Sequence, residues 1–220
     1  MPIASDAPLL YRFMQRFLWF LLRSLTRLHI SGLEHVPAAG PLIISPNHLH
    51  VSDVVFVALI PRRITAFAAN KWRGKLAGWL LSTAANAIYV ARGEVDRQAL
   101  GRALSVLHRG GALGMAPEGT RSRTGGLLPG KDGPVYLAGR TGAALLPVAV
   151  WGQERLFTEW LRLRRPVIHM HIAPPMRMPP AAAHARMDDL RPYTEKLMLA
   201  IARLLPAEYR GVYADQVRQG

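Results

Sequence analysis

Residues 46–53, with the sequence PNHLHVSD, combine an imidazole and a carboxylate that could together activate an alcohol. His48 is a candidate general base, because imidazole can accept a proton near neutral pH, and Asp53 could fix its tautomer and stabilise the imidazolium. The apolar residues before this segment predict a buried strand. Those after it predict a helix that Ser52 or Asp53 could cap. The two reactive groups therefore flank a strand-to-helix turn, and they meet only if the turn bends them together.

Two other interpretations of this segment stay open. His48, His50 and Asp53 nearly reproduce the His-x-His-x-Asp-His cluster of metallo-β-lactamase-type hydrolases, although the Asp comes one residue late and the last His is absent. His169 and His171 lie on one face of a predicted strand and could add metal ligands. The segment could also be a polar loop with surface histidines.

A second polar segment, PEGTRS at residues 117–122, follows an apolar run that predicts another buried strand. Gly119 at the end of this strand would let successive backbone N–H groups point into one concavity. Arg121 adds a guanidinium that can bind a phosphate through two hydrogen bonds. Glu118 cannot bind phosphate itself, so we expect it to orient Arg121 or to accept a hydrogen bond from a substrate hydroxyl.

The composition restricts the classes of function. The absence of cysteine excludes thiolate nucleophiles, disulfides and thiolate metal sites. Lysine and arginine number 28 against 14 aspartate and glutamate, and the formal charge of +14 favours anionic partners. Because the chain has no helix-turn-helix, RNA-recognition or zinc-finger pattern, membranes or phosphate-bearing substrates are better candidates than nucleic acid.

The first 30 residues predict an amphipathic helix over residues 9–28. Its arginines, Arg12, Arg16, Arg23 and Arg27, fall within roughly 60° of one another on a helical wheel, opposite a broad apolar surface. The longest uncharged run, residues 17–22, is far shorter than the ~20 apolar residues of a spanning helix. The helix is therefore expected to lie on a membrane surface or to pack on the protein's own core.

Four segments resemble, in the same order, the signatures of the glycerolipid acyltransferase family, which includes the lysophosphatidic acid acyltransferases. The resemblance spans about residues 28–172, and the third segment matches Phe-Pro-Glu-Gly-Thr-Arg-Ser at six of seven positions, with Ala116 in place of Phe. The second departs from the family pattern, because Asn86 replaces a glycine. The segments are Asn-His-x4-Asp at residues 47–53, a strand at residues 86–92 that ends in Arg92, residues 116–122, and Leu-Pro-Val at residues 146–148.

The alternation of predicted strands and helices indicates a single α/β domain with a mixed, mostly parallel sheet covered by helices. The resemblance implies the same glycerol-3-phosphate acyltransferase-like fold. It places the acyltransferase domain at residues 30–220, after an amphipathic, membrane-associating helix within residues 1–29. The predicted strands are residues 28–33, 40–45, 64–69, 86–92, 112–116, 144–152 and 167–172, and the predicted helices are residues 54–59, 76–85, 95–109, 134–140 and a last helix from residue 188 or 189 to Pro206.

The resemblance implies an O-acyltransferase that moves a fatty acyl group from acyl-CoA or acyl carrier protein to the free hydroxyl of a lysophospholipid. The simplest acceptor is 1-acylglycerol 3-phosphate, which would give phosphatidic acid without a covalent acyl-enzyme. His48 would be the general base and Asp53 its orienting partner, and backbone N–H groups near His48 or Gly119 would stabilise the oxyanion. The residues implied to bind the acceptor phosphate are Arg92, Glu118, Gly119, Thr120, Arg121 and Lys131.

The same resemblance implies no metal and no cofactor other than the acyl donor. Its implied partners are membrane lipids and the donor, with attachment at the cytoplasmic face of a membrane. Other acceptors stay open, including glycerol phosphate, lysophosphatidylethanolamine, a lyso-ornithine lipid and a glycolipid precursor. A metal-dependent hydrolase and a basic membrane-surface protein without activity are the alternatives from other classes.

Overall fold

A seven-stranded sheet forms the centre of the computed structural model, which describes residues 3–4, 7–69, 88–90, 97–186 and 188–219. The predicted helix at residues 76–85 and the predicted site residue Arg92 lie outside these residues. The strands are β1 (Arg27–Ser31), β2 (Leu42–Pro46), β3 (Ile64–Ala69), β4 (Ile88–Val90), β5 (Ala112–Gly114), β6 (Ala144–Trp151) and β7 (Val167–Ile172). The helices are α1 (Leu9–Leu25), α2 (Asp53–Val57), α3 (Arg97–His108), α4 (Gly133–Thr141), α5 (Leu156–Leu161), α6 (Arg191–Leu204) and α7 (Ala214–Gln219).

The strand order is β1-β7-β6-β2-β5-β3-β4, and each neighbouring pair is parallel except β6 with β7. This arrangement confirms the predicted mixed, mostly parallel sheet. Because β2 and β5 are parallel neighbours, the polar segments that follow them emerge at the same edge of the sheet. The topology thus brings together residues 47–53 and 115–122, which are far apart in the sequence.

Two clusters of buried side chains cover the two faces of the sheet. Helices α3, α4 and α6 contribute residues such as Leu107, Leu137 and Ile201 to one cluster. Helix α1 and the segment that begins with α2 contribute Trp19 and Phe56 to the other. Strand β6 is buried along nearly its whole length, which agrees with its uninterrupted apolar sequence, since a strand covered on both faces needs no polar alternation.

Helix α1 both packs on the domain and exposes an apolar surface. Gln15 donates hydrogen bonds to the carbonyl oxygens of Ala58 and Ile60, and the Trp19 indole donates to that of Leu59. The helix ends at Leu25, earlier than predicted, so Arg27 belongs to β1 and not to the helix. Strand β1 runs across residues 29 and 30, the predicted boundary between the N-terminal helix and the domain. Apolar side chains that stay exposed on α1 are Leu9, Leu10, Phe13, Phe17, Phe20, Leu21 and Leu25.

Most other boundaries agree with the sequence prediction. Strands β3 and β7 have the predicted bounds, and α6 begins at Arg191 because residues 188–190 form a separate 3-10 turn. Beyond Pro206, where the sequence indicated no element, two 3-10 turns lead into α7. These last turns contact the candidate site, as described below.

Candidate active site

His48 and Asp53 form a hydrogen-bonded pair in the turn between β2 and α2. The Nδ1 atom of His48 lies 2.8 Å from Oδ2 of Asp53, which confirms that the turn bends the two side chains together. The Asp53 side chain is 4% exposed and that of His48 is 31% exposed, so only the imidazole can reach a substrate. Ser52 precedes α2 without a side-chain cap, because its hydroxyl bonds to the ring of His50 instead.

The Asp53 carboxylate accepts hydrogen bonds at both oxygens. Its Oδ2 also accepts the backbone N–H of His50 at 3.0 Å, and its Oδ1 accepts the side-chain amide of Gln153 at 2.8 Å. Three donors therefore fix the orientation of a buried carboxylate. Gln153 was not predicted as a site residue, because it lies 100 residues from Asp53 and has no motif around it.

Asn47 anchors the turn to the sheet. Its side-chain amide donates to the carbonyl oxygen of Val150 at 2.9 Å, and its side-chain oxygen accepts the N–H of Val150 at 2.7 Å. The fully buried Asn47 side chain thus imitates a strand residue and extends the β2–β6 pairing beyond Pro46. The asparagine of the first segment therefore has a positioning role, which the sequence analysis did not assign.

Glu118 connects the two polar segments, but not in the way predicted. The sequence predicts that it orients Arg121 or accepts a substrate hydroxyl. Instead its Oε1 accepts the backbone N–H of His48 at 2.7 Å, and its Oε2 accepts that of Leu128 at 2.9 Å. Because the carboxylate is buried and both of its oxygens are engaged, it holds the backbone of His48 and is not free to meet a ligand from solvent.

Ser122 completes the contact between the segments. Its backbone N–H donates to the carbonyl oxygen of His48 at 2.8 Å, and its buried hydroxyl donates to the carbonyl oxygen of Gly126 at 2.6 Å. Both backbone groups of His48 are therefore bound by residues 117–122. The candidate phosphate-binding segment and the candidate base form one unit.

Lys131 lies against Gly119, as the family resemblance implies for a second cation. Gly119 has a φ of +66°, and a Cβ atom there would be only 3.2 Å from Nζ of Lys131. The neighbouring backbone is held from the C-terminal part of the chain. The Tyr213 hydroxyl accepts the N–H of Gly130 at 3.1 Å, and the Thr194 hydroxyl donates to Asp132 at 2.6 Å.

The other predicted site residues have different positions. Thr120 and Arg121 are exposed in the same turn as Gly119, where a guanidinium can meet an anion from solvent. Arg92 lies outside the described residues. Of the backbone N–H groups in the region predicted to stabilise the oxyanion, that of His48 binds Glu118 and that of Gly119 binds the carbonyl oxygen of Ala116, so a donor would have to come from a residue beside them.

The histidines proposed as metal ligands do not converge. His50 directs its Nδ1 to Ser52 at 2.9 Å. His169 stacks between His29 and Trp151, with ring centroids at 5.0 and 4.8 Å, and His171 packs edge-on against the same tryptophan. Within the described ranges, no group of three or more His, Cys, Asp or Glu side chains has an arrangement that could hold a metal ion.

Comparison with known proteins places this site within a family. Residues 27–151 match the family model described as Acyltransferase. The chain is 24% identical over 149 residues to the 1-acyl-sn-glycerol-3-phosphate acyltransferase of Borreliella burgdorferi, an alignment that covers 66% of this chain and 60% of that protein. It is 28% identical over 137 residues to the alpha enzyme of the same name from Homo sapiens, covering 56% of this chain and 45% of that protein. The matches thus span about half of the length of these curated relatives.

A solved structure has the same fold. The crystal structure of the 1-acyl-sn-glycerophosphate (LPA) acyltransferase from Thermotoga maritima superposes with a TM-score of 0.66, at 23% sequence identity, over 85% of this chain and 76% of that chain. The agreement confirms the predicted glycerol-3-phosphate acyltransferase-like architecture.

Burial gives Glu118 a testable pH dependence. Desolvation raises the pKa of this carboxyl from 4.5 to about 7, although the N–H donors of Leu128 and His48 oppose the shift. Between these two pH values the folded protein binds more protons at Glu118 than the unfolded chain does. This group therefore makes the free energy of unfolding fall as pH rises from about 4.5 to 7, by on the order of 3 kcal/mol.

Urea unfolding of the wild type and of Glu118→Gln at pH 5 and pH 7 measures this effect. The glutamine cannot titrate, so the variant should gain stability relative to the wild type as the pH rises, while contributions from all other groups cancel in the difference. A stability difference that is equal at both pH values would contradict the assignment.

Proposed function

The chain belongs to the Acyltransferase family, and on this premise we propose that it is an O-acyltransferase that acylates 1-acylglycerol 3-phosphate. The relatives are named as acyltransferases of this same acceptor, which supports the proposal. The observation that carries the proposal is the 2.8 Å contact between His48 and Asp53, beside a turn that bears Arg121 and against which the Lys131 side chain lies. The product would be phosphatidic acid.

The tautomer of His48 suits general-base catalysis. An ionised Asp53 can only accept hydrogen bonds, so the proton of a neutral imidazole lies on Nδ1 and leaves a lone pair on Nε2. Nε2 would remove the proton of the acceptor hydroxyl while the hydroxyl oxygen attacks the carbonyl carbon of an acyl thioester. The tetrahedral intermediate would expel the thiolate, and the imidazolium would return the proton to it. Asp53 would stabilise the imidazolium between these steps.

The acceptor phosphate would bind at the turn that carries Gly119 and Arg121. This turn contacts His48 through Glu118 and Ser122, so a phosphate bound there would hold the glycerol hydroxyl within reach of the imidazole. Lys131 would add a second cation, and Arg92 is proposed as a third on the basis of the family resemblance alone. Acyl-CoA and acyl carrier protein are both compatible donors, since each presents a thioester.

We also propose attachment to the cytoplasmic face of a membrane, where such donors are found. Among the described residues no helix is both long and apolar enough to cross a bilayer. Exposed apolar side chains are concentrated on α1 and on the segment at α5, where Leu161 and Leu163 are 87% and 97% exposed. The two segments are adjacent, because the Trp160 indole and the Arg165 guanidinium donate to carbonyl oxygens at the end of α1. Arginines around these side chains would face anionic headgroups.

Replacement of the base tests the reaction. His48→Ala should lower kcat for acyl transfer to 1-acylglycerol 3-phosphate by roughly 10²–10⁴-fold, because proton transfer to a positioned base is lost. The thermal unfolding midpoint should change little, since the His48 ring is partly exposed. The measurement is product formation from labelled acyl-CoA and from acyl carrier protein.

His50→Ala is the matched control, because its ring lies two residues away and does not bind the carboxylate of Asp53. The variant should keep near-normal transfer activity. Near-normal activity of His48→Ala would overturn the base assignment. Stoichiometric zinc or manganese in the purified protein that is lost in His50→Ala would favour the metal-dependent hydrolase instead.

The membrane contact is tested by a triple variant of α1, Phe13→Ser, Phe17→Ser and Phe20→Ser. These side chains are 57–71% exposed, so their replacement leaves the core intact and the net charge unchanged. At about 1.5–3 kcal/mol for each buried phenylalanine, partitioning into phosphatidylglycerol-containing vesicles should weaken by more than about 100-fold in a flotation assay.

Val212→Ser, at an apolar side chain that is 58% exposed at the other end of the chain, should bind the vesicles like the wild type. Equal binding of the triple variant would show that α1 does not insert into the membrane. Attraction between the basic side chains and the anionic headgroups would then be the whole basis of membrane binding.

A further inference from the structure

The turn that follows β6 positions a buried amide beside the reactive pair. Gly152 has a φ of +89°, and a Cβ atom there would lie 2.3 Å from the carbonyl oxygen of Val167. The backbone of the turn is thus fixed against the start of β7. Gln153, the first residue of a 3-10 helix, is completely buried and points toward Asp53.

The contacts of Gln153 are asymmetric. Its Nε2 donates to Oδ1 of Asp53 at 2.8 Å and less closely to the carbonyl oxygen of Val150 at 3.3 Å. Its own side-chain oxygen is buried and has no hydrogen-bond partner among the described residues. A buried polar atom without a partner is destabilising, and a hydrocarbon of the same size would avoid that cost. The amide provides an N–H that donates a hydrogen bond to the carboxylate, which a hydrocarbon cannot do.

That N–H acts on the oxygen which faces away from the base. The two other donors to Asp53, the His48 ring and the His50 backbone, both bind Oδ2. Oδ1, in contrast, accepts a hydrogen bond from the side-chain amide of Gln153. Without it, the carboxylate could rotate about its Cβ–Cγ bond, and Oδ2 would leave the Nδ1 atom of His48 for part of the time.

We propose that Gln153 is a positioning residue, which holds the Asp53 carboxylate in the plane that keeps His48 in its Nδ1-protonated tautomer. The expected effect of Gln153 on kcat rests on the proposed acyl transfer. Its expected effect on the tautomer of His48 does not. Gln153 does not touch a substrate, because its side chain is buried behind Asp53.

Three variants separate positioning from packing. Gln153→Met keeps the size of the side chain and removes the donor. Gln153→Glu restores a donor only while the introduced carboxyl is protonated. Gln15→Met is the matched control, because Gln15 is also a buried glutamine that donates to backbone carbonyls, but it lies on α1 and does not bind Asp53.

Two readouts are needed. With acyl-CoA and 1-acylglycerol 3-phosphate, Gln153→Met should lose on the order of 10-fold in kcat at an unchanged acceptor KM. Gln153→Glu should approach the wild type at pH 6 and fall about 10-fold below it at pH 8.5. Gln15→Met should stay within about twofold in kcat. In NMR spectra of protein with ¹⁵N-labelled histidine, the two ring nitrogens of His48 should shift toward a tautomer mixture in Gln153→Met and should not shift in Gln15→Met.

An unchanged His48 spectrum in Gln153→Met would overturn the proposal. It would also be overturned if kcat of Gln153→Glu, divided by kcat of the wild type, were the same at both pH values. A wild type that forms no product would refute the proposed acyl transfer. The spectrum would still decide the role of Gln153, so the two failures are distinguishable.

Discussion

The hydrogen bond between His48 and Asp53 is the interaction on which the rest of the site depends. A histidine at the surface of a turn has no fixed tautomer or orientation, and a buried carboxylate at 2.8 Å supplies both. The protein must hold that buried carboxylate in a fixed orientation. It does so with neutral donors, the amide of Gln153 and the N–H of His50. Because neither donor is charged, the negative charge of Asp53 stays available to stabilise an imidazolium at His48.

The second constraint is the distance between His48 and the turn at residues 117–122, which the proposed reaction requires to be constant. Glu118 satisfies it by accepting the N–H of His48 and that of Leu128, so one side chain links β2 to the loop that follows β5. A carboxyl in this position is costly, as the rise of its pKa to about 7 shows. The same loop is held from its other side by Tyr213, whose hydroxyl binds Gly130. Three distant parts of the chain are thus linked by hydrogen bonds at the site.

Much of this arrangement follows from local sequence patterns. The proximity of His48 and Asp53, the turn at Gly119 and Arg121 and the mixed, mostly parallel sheet were predictable, because polar segments follow apolar runs of strand length and four segments resemble family signatures in the same order. Gln153 and Tyr213 were not predictable, since each acts on a residue at least 80 positions away through a single hydrogen bond. The role of Glu118 was missed for a related reason. Its partners are backbone N–H groups, which leave no trace in the sequence.

The end of α1 shows how tertiary contacts override a local pattern. The apolar and arginine periodicity continues to residue 28, but Thr26 has an extended backbone, and Arg27 donates its N–H to the carbonyl oxygen of Pro166. Pairing of β1 with β7 therefore ends the helix before its sequence pattern does. The same junction brings α1 beside α5 and sets the orientation of the exposed apolar side chains.

The proposed reaction requires the imidazole and the cationic turn to act on one acceptor molecule. The most direct test compares kcat/KM for 1-acylglycerol 3-phosphate with that for the uncharged monoacylglycerol, in the wild type, Arg121→Ala and His48→Ala. The wild type should prefer the phosphorylated acceptor by on the order of 100-fold, Arg121→Ala should lose about 10-fold or more of that preference, and His48→Ala should lower both rates by the same factor. A preference that Arg121→Ala leaves unchanged would contradict this proposal.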